Sequence, residues 1–112
     1  SIRRHVPSIQ KKPFPDLIIG DNDSTSCDTK FTKITENELM KSGLQVNYNH
    51  PFKGGYLTRS KGNPSQHIHA IQLEMCKDLY MNHNETKYEE KKAVKIKKIL
   101  KNTFHHLIES LI

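Results

Sequence analysis

The chain contains the stretch IHAIQLEM at Ile68–Met75, which is the longest strand candidate in the sequence. Residues of a strand point alternately to its two faces. The alternation therefore predicts that Gln72 and Glu74 share one face and that His69 lies on the other. A carboxylate near the end of a buried strand suits proton transfer in an enzyme, which makes Glu74 the first candidate catalytic residue.

Two more strand candidates and a helix candidate precede this stretch. Leu17–Ile19 is a short apolar run followed by a glycine, which is typical of a buried strand, and Leu44–Tyr48 predicts the next strand. Between them, a polar turn predicts a helix that begins near Asp28 and ends at Ser42-Gly43. Residues 52–63 contain three glycines and are predicted as a loop or an irregular hairpin.

The last predicted element is a long helix. Thr86 and Glu89 have the spacing of a capping box. The following apolar residues recur every three or four positions and predict one buried stripe, formed by Ala93, Ile96, Leu100, Phe104, Leu107 and Leu111. The order strand, helix, strand, loop, strand, helix predicts an α/β fold. Three strands cannot cover both faces and both edges of a mostly parallel sheet, so we expect the sheet to be partial.

Composition limits the class of protein. The 112 residues are 34% apolar and 27% charged, enough for one small globular domain. No apolar run is as long as a membrane span and the first residues lack a signal-peptide core, so a cytoplasmic protein is expected. Cys27 and Cys76 lie far apart without a metal-binding pattern and are expected to be free thiols.

The net charge of +6 comes mostly from the lysines between Lys87 and Lys101. Such a stretch could belong to a module that binds nucleic acid or an anionic membrane. The favoured interpretation is a solvated lysine face of a helix, with no nucleic-acid or membrane partner. A basic, non-enzymatic binding module that uses this C-terminal helix is the alternative function.

Candidate binding residues lie just before the longest strand candidate. Residues 49–59 have the sequence NHPFKGGYLTR. The adjacent Gly54 and Gly55 would let the backbone approach a ligand closely, although such pairs often form only a turn. Arg59 could hold a carboxylate through two parallel hydrogen bonds, or form only a surface ion pair. The pair His67-x-His69 could bind a metal, but no third ligand lies nearby in the sequence.

The run PFKGGYLTR at Pro51–Arg59, followed by HAIQLEM at His69–Met75, resembles the C-terminal signature of the N-formylglutamate amidohydrolase family. Further matches are SIR at Ser1–Arg3, PDL at Pro15–Leu17 and LYM at Leu79–Met81. The resemblance covers nearly the whole chain, and the lysine-rich helix is its least specific part.

The resemblance implies a fold. The family has a central mixed sheet between helices and is similar to zinc-dependent exopeptidases. Residues 1–112 would then be the C-terminal part of a single amidohydrolase domain, a partial three-layer mixed sheet with a long C-terminal helix, without the N-terminal metal-binding part. The sequence opens on Ser1 rather than on Met, which fits this expectation.

The resemblance also implies an activity, the hydrolysis of N-formylglutamate to glutamate and formate. The family's metal ligands lie in a His-Ser-Gly motif, in an acidic residue after it, and in an Asp-x-His-Ser motif whose serine corresponds to Ser1. A divalent metal, expected to be zinc, would then have all its ligands outside this chain. Alone, the chain is expected to be inactive.

Residue roles follow from the same resemblance. Glu74 would be the general base that activates water and then protonates the leaving amine. Arg59 would bind a carboxylate of the substrate, with Asn49 and Thr58 as lesser candidates. The remaining substrate-binding candidates are Gly54, Gly55, His69 and Gln72. The expected partners are a small N-acyl amino acid substrate and a complementary N-terminal half.

Overall fold

The computed structural model describes all 112 residues. The elements, in chain order, are β1 Leu17–Gly20, α1 Thr29–Lys41, β2 Val46–Tyr48, α2 Tyr56–Lys61, β3 Gln72–Met75 and α3 Glu90–Ser110. Single 3-10 turns lie at Pro64–Gln66 and Lys77–Leu79. None of the helices combines the length and the apolar character that a bilayer crossing requires.

The three strands form one mixed sheet in the order β2-β1-β3. β1 is parallel to β2 and antiparallel to β3, with Ile18 opposite Glu74 and Gly20 opposite Gln72. The predicted α/β class and the mixed sheet of three strands are therefore confirmed. The expectation that Glu74 lies on an interior strand is wrong, because β3 is at the edge of the sheet and all its residues are half-buried.

β3 is also shorter than the predicted strand at Ile68–Met75. The reason is that the chain before Gln72 bonds to a different segment. The Ala70 N–H donates to the Ser26 carbonyl at 2.8 Å, and the Ser26 hydroxyl donates to the Ala70 carbonyl at 2.8 Å. His69 therefore lies outside the sheet.

The two helices α1 and α3 cover one face of the sheet. Leu17 and Ile19 of β1 are fully buried there with Leu39 of α1, and Ile99 and Leu100 of α3 pack against them. α1 begins as predicted, because the Asp28 carboxylate accepts the Lys30 N–H at 2.9 Å.

No helical layer covers the opposite face of the sheet. Phe14, Ile18 and Cys76 are buried there, with Phe52 packed against them. The cover comes from the irregular first residues and from the segment after β2. This chain therefore has two layers, and the third layer of the predicted three-layer arrangement is not formed by its residues.

Two predictions for the later elements were wrong. The segment predicted as a loop contains α2, which begins directly after the glycine pair. The capping box is absent, because no side-chain bond caps α3 at Glu89 and the Thr86 hydroxyl accepts from Asn82 instead. The predicted apolar stripe is only partly buried, since Phe104 is 49% exposed and Leu111 is 66% exposed. Both cysteines are free, as predicted, and both are buried.

Candidate functional site

The glycine pair is held at one end of the sheet, on the face that lacks helices. The Gly55 N–H donates to the side-chain carbonyl of Gln72 at 2.7 Å. Gly20, opposite Gln72, lets the loop lie directly on β1, since a Cβ there would be 2.6 Å from the Lys53 carbonyl carbon and 2.9 Å from the Gly54 nitrogen. The loop is thus fixed against both β1 and β3.

Thr58 supports the same loop from α2. Gly54 has φ +125°, a conformation that favours glycine, and a Cβ at this position would be 2.8 Å from the Thr58 methyl carbon. The Thr58 side chain is buried in this contact. The structure therefore brings Thr58 to the glycine pair as a packing residue, and its contact with substrate stays a prediction.

Glu74 lies on the same face of β3 as Gln72, as the alternation predicted. Its carboxylate is 3.0 Å from the Ser1 ammonium nitrogen, and the Glu74 side chain is 24% exposed. The carboxylate is therefore partly shielded from solvent at the edge of the sheet, next to the first residue of the chain.

Arg59 is near the glycine pair but is not joined to Glu74. Its side chain is exposed, and its Nε donates only a long bond, 3.4 Å, to the Gly55 carbonyl. None of the ion pairs of the protein involves Arg59. The guanidinium is thus free to bind a carboxylate from solution, which is what its predicted role requires.

The side chain of Asn49 has a structural role in the fold. Its side-chain carbonyl accepts the Asp21 N–H at 3.0 Å, and its amide nitrogen donates to the Asp21 carboxylate at 2.8 Å. With φ +58°, Asn49 also turns the chain out of β2 towards the glycine pair. The structure thus shows Asn49 as a residue that shapes the loop, and its predicted role as a substrate ligand stays a prediction.

Asp21, at the end of β1, is the residue that sequence reasoning missed. Its buried carboxylate accepts hydrogen bonds from Asn49, from the Tyr48 hydroxyl, from the Thr32 hydroxyl at 2.9 Å and from the Ser24 N–H at 2.7 Å. Burial by itself raises the pKa of Asp21, but these hydrogen bonds outweigh it and hold the pKa below its ordinary value. The only sequence signal was its position directly after a buried strand.

His69 lies apart from Gln72 and Glu74. Its Nδ1 accepts the Asp28 N–H at 3.0 Å, at the start of α1, and its ring meets Phe31 edge to face at 4.6 Å between centroids. The structure therefore does not bring His69 to the glycine pair. Its predicted contact with substrate stays a prediction, and these contacts show it as a residue that fixes the start of α1.

No residue set of this chain fits a metal with three protein ligands. No three or more His, Cys, Asp or Glu side chains come together anywhere in the protein. The acidic residues Asp16 and Asp78 do meet, but both bind the Arg4 guanidinium, at 2.8 and 2.7 Å. The hydrogen bond from Arg4 holds the pKa of Asp78 below its ordinary value, which marks this cluster as an internal ion pair.

The sequence and the fold are similar to those of known proteins. The model of the family described as N-formylglutamate amidohydrolase matches residues 1–81. An N-formylglutamate deformylase of Pseudomonas putida is 34% identical over 110 residues, which are 96% of this chain and 41% of that protein. One of Pseudomonas aeruginosa is 40% identical over 83 residues, 73% of this chain and 31% of that protein.

A solved structure supports the same similarity. The crystal structure of N-formylglutamate amidohydrolase from Ralstonia eutropha JMP134 superimposes with a TM-score of 0.75 at 28% identity, over 88% of this chain and 35% of that chain. The chain thus spans 41% or less of the length of each of these relatives.

Proposed function

The chain belongs to the N-formylglutamate amidohydrolase family, and from that premise we propose that it forms the substrate-facing part of an enzyme that hydrolyses N-formyl-L-glutamate to L-glutamate and formate. One observation carries the proposal. Glu74, Gln72 and the paired glycines Gly54 and Gly55 lie on the face of the sheet that α1 and α3 do not cover, with the free guanidinium of Arg59 beside the glycines.

The proposed chemistry needs a proton carrier. Glu74 takes a proton from the water that attacks the formyl carbon, and returns it to the amide nitrogen as the carbon–nitrogen bond breaks. Formate and the free amine of glutamate are then the products. The position of Glu74 at a partly shielded edge supports this role, because both water and substrate can reach it.

Two other residues are proposed to hold the substrate. Gln72 uses its side-chain carbonyl to bind Gly55, so its amide N–H groups are left to donate to the formyl oxygen or to a carboxylate. Arg59 binds a carboxylate of the glutamate part through two parallel hydrogen bonds. A small molecule with two carboxylates and a short acyl group fits this arrangement.

Metal ligands are proposed to come from the part of the family domain that this chain does not match. Family resemblance implies zinc, but the residues present here do not form its site, so no step is assigned to a metal. The complete domain is proposed to have the three-layer fold that resembles zinc-dependent exopeptidases, with the missing layer over the face that carries Glu74.

The pairing of the first residues supports this arrangement. The Ile2 N–H donates to the Met75 carbonyl and the Lys77 N–H to the Ile2 carbonyl, each at 2.8 Å, which is a parallel bridge to Cys76. The first residues thus occupy one end of the outer edge of β3, and we propose that the remaining part of the family domain adds a strand along the rest of that edge.

Formate release tests the proposal. The chain is mixed with the amino-terminal part of the Pseudomonas putida relative, in the presence of zinc, and formate is measured. Neither part alone should release formate, and the mixture should. Glu74→Gln should lower the rate by about 10²–10⁴-fold, because it removes the proton carrier.

The matched control is Glu109→Gln, which removes an exposed carboxylate on α3 and should leave the rate unchanged. If both parts fold and associate but release no formate, the proposed function is wrong. If Glu74→Gln keeps full activity, the role of Glu74 is wrong. The cytoplasmic location of the protein stays a prediction.

A further inference from the structure

The proposed substrate has one more negative charge than Arg59 can bind. N-formyl-L-glutamate carries two carboxylates, and its formylated nitrogen has no positive charge. The Arg59 guanidinium can hold one carboxylate, whereas the Gln72 amide offers only neutral donors. A charge that leaves water is stabilised best by an opposite charge. Recognition of the second carboxylate therefore calls for a second cation near the glycine pair.

Lys53 directly precedes the glycine pair and lies over the end of β1. A Cβ at Gly20 would be 2.7 Å from the Lys53 carbonyl oxygen, so the Lys53 backbone rests on the sheet at the position paired with Gln72. The backbone of Lys53 is thus fixed on the face of the sheet that carries Gln72 and Glu74. Its four-carbon side chain leaves the ammonium free to turn towards a bound anion.

Lys61 is the other lysine of this segment, and its position is less suitable. It lies on α2, two positions after Arg59, and residues two apart on a helix do not face the same side. The Arg59 side chain folds back on the Gly55 carbonyl, so the side of α2 next to the glycines is that of Arg59. Lys53 is therefore the lysine that belongs to the glycine pair.

The Lys53 ammonium is already paired with a carboxylate of the chain. Its nitrogen is 2.7 Å from the Asp23 carboxylate, and both side chains are 58% exposed. An ion pair so accessible to water contributes little to stability. A carboxylate from solution can therefore replace that of Asp23 on the ammonium without disturbing the fold.

The turn that carries Asp23 has an unusual backbone. Asn22, Asp23 and Ser24 have φ values of +52°, +53° and +69°, and this left-handed conformation is unfavourable for residues other than glycine. The Asn22 N–H donates to the Lys53 carbonyl at 2.8 Å, and the Ser24 N–H donates to the Asp21 carboxylate at 2.7 Å. These bonds hold the strained turn beside the loop and place the Asp23 carboxylate at the Lys53 ammonium.

The ion pair is not needed to join the turn to the loop. The backbone bond from Asn22 to Lys53 already does so. The ion pair adds a carboxylate on a lysine beside the glycine pair, which is the contact that a substrate carboxylate would make there.

We propose that Lys53 binds the second carboxylate of the substrate and that Asp23 occupies Lys53 until the substrate displaces it. This inference rests on the proposed function, because it assigns a residue to the same site. Arg59 and Lys53 together then select an acyl amino acid with two carboxylates over one with a single carboxylate. Lys53 sets specificity and takes no part in the proton transfer by Glu74.

Binding by the full chain tests the proposal. The probes are N-formyl-L-glutamate and its two mono-amides, N-formyl-L-glutamine and N-formyl-L-isoglutamine, each of which replaces one carboxylate with a neutral group of the same shape. Shifts of the Gly54 and Gly55 amides are followed by nuclear magnetic resonance. We expect a roughly millimolar Kd for N-formyl-L-glutamate and about five- to tenfold weaker binding of each mono-amide.

Lys53→Met should abolish the loss for one of the two mono-amides and keep the loss for the other. The reason is that the variant lacks the cation that distinguishes one carboxylate from its amide, while Arg59 still distinguishes the second. Lys53→Arg keeps the charge and should restore both losses. The matched control is Lys98→Met, which removes an exposed lysine of α3 and should leave both losses unchanged.

Asp23→Asn should strengthen the binding of N-formyl-L-glutamate by about two- to fivefold, because the competing carboxylate is gone. Glu109→Gln removes an exposed carboxylate on α3 and should change this affinity less than about twofold. Circular dichroism checks that every variant keeps its helices.

Four results would overturn the proposal. They are retention of both losses in Lys53→Met, the same changes in Lys98→Met as in Lys53→Met, unchanged or weaker binding by Asp23→Asn, and no shift of the glycine amides at tens of millimolar N-formyl-L-glutamate.

Formate release separates this proposal from the proposed function. If the mixture with the amino-terminal part of the relative releases no formate while the chain shows the Lys53-dependent difference, hydrolysis is wrong and the carboxylate site stands. If formate is released and Lys53→Met leaves the ratios of kcat/KM between substrate and both mono-amides unchanged, only the role of Lys53 is wrong.

Discussion

Asp21 joins three segments that are far apart in the sequence. Its carboxylate binds Thr32 of α1 and both Tyr48 and Asn49 at the end of β2. Asn49 in turn directs the chain towards the glycine pair. The sequence indicated only a polar turn here, because its partner Asn49 is 28 positions away and no local pattern relates the two.

Asp21→Asn should destabilise the fold at neutral pH. The variant loses a charged acceptor for four donors, which we expect to cost about 1–3 kcal/mol in the free energy of unfolding, measured by urea denaturation. Asp23→Asn is the matched control in the same turn. The Asp23 carboxylate is 58% exposed and pairs with Lys53 on the surface, so its replacement should have little effect. Equal losses would contradict the role given to Asp21.

The stability contributed by Asp21 should depend on pH in a defined direction. Its folded pKa is lower than its ordinary value, so the unfolded chain binds the proton more tightly. The contribution is therefore complete above the unfolded pKa of about 3.9 and is lost as pH falls through the folded pKa. Stability should fall less steeply below about pH 5 in Asp21→Asn than in the original protein. Parallel curves for both would contradict this assignment.

Cys76 should be unreactive in the folded protein. Its thiol is buried and donates to the Pro15 carbonyl at 3.1 Å, and burial raises its pKa to about 11. Since the thiolate is the reactive form, iodoacetamide at pH 8 should modify Cys76 at least roughly 100-fold more slowly than a peptide thiol. The urea-unfolded chain is the control and should react at both cysteines. Rapid modification of the folded chain would show that this side of the sheet is open.

At the scale of elements, the sequence predicted what depends on local pattern. β1 is a short apolar run, and α1 has its cap two residues from the bonded N–H, so both were identified from neighbours alone. α2 was missed because a helix of six residues has no apolar stripe and follows a glycine pair. The first residue of β3 was predicted wrongly because Ser26, distant in sequence, holds Ala70 outside the sheet.

The candidate site likewise has features that the local sequence predicts and features that it does not. Strand alternation alone predicted that Gln72 and Glu74 share a face. The bond from Gly55 to Gln72 could not be predicted, because it depends on how the loop after β2 packs on β1. The position of Gly20 is what permits that packing.

Gly20→Ala should separate the glycine pair from the sheet. The added Cβ would lie within 3 Å of the Lys53 and Gly54 backbone, which cannot yield as a flexible side chain could. We expect a loss of roughly 1–3 kcal/mol in the free energy of unfolding. Gly55→Ala is the matched control, since its Cβ would meet only the end of the Gln72 side chain at 3.3 Å, and we expect a loss below about 1 kcal/mol. A neutral Gly20→Ala would contradict the close approach.

At the scale of the whole molecule, the core is small. Only 16 of the 112 residues are buried, and helices cover one face of the sheet while irregular segments cover the other. Such a fold has little buried apolar area to offset the entropy of ordering the chain. We therefore expect the chain alone to unfold over a broad temperature range, followed by circular dichroism. A sharp, cooperative transition of a monomer would contradict this.

Deuterium exchange at the outer edge of β3 should change most when the amino-terminal part of a relative is added. The Met75 carbonyl already accepts from Ile2 on that edge, so the N–H groups of Met75 and Leu73 point to the same side and lack a strand to bind them. In the chain alone, these two amides should exchange with deuterium quickly, whereas Ile18 at the centre of the sheet should be protected. If the amino-terminal part adds a strand there, both edge amides should become protected. The melting temperature should also rise, because binding to the folded state stabilises it. The stabilisation is about 2.7 kcal/mol when the concentration of the added part is roughly 100 times the Kd. Association without new protection at Met75 and Leu73 would mean that the added part docks elsewhere on the chain.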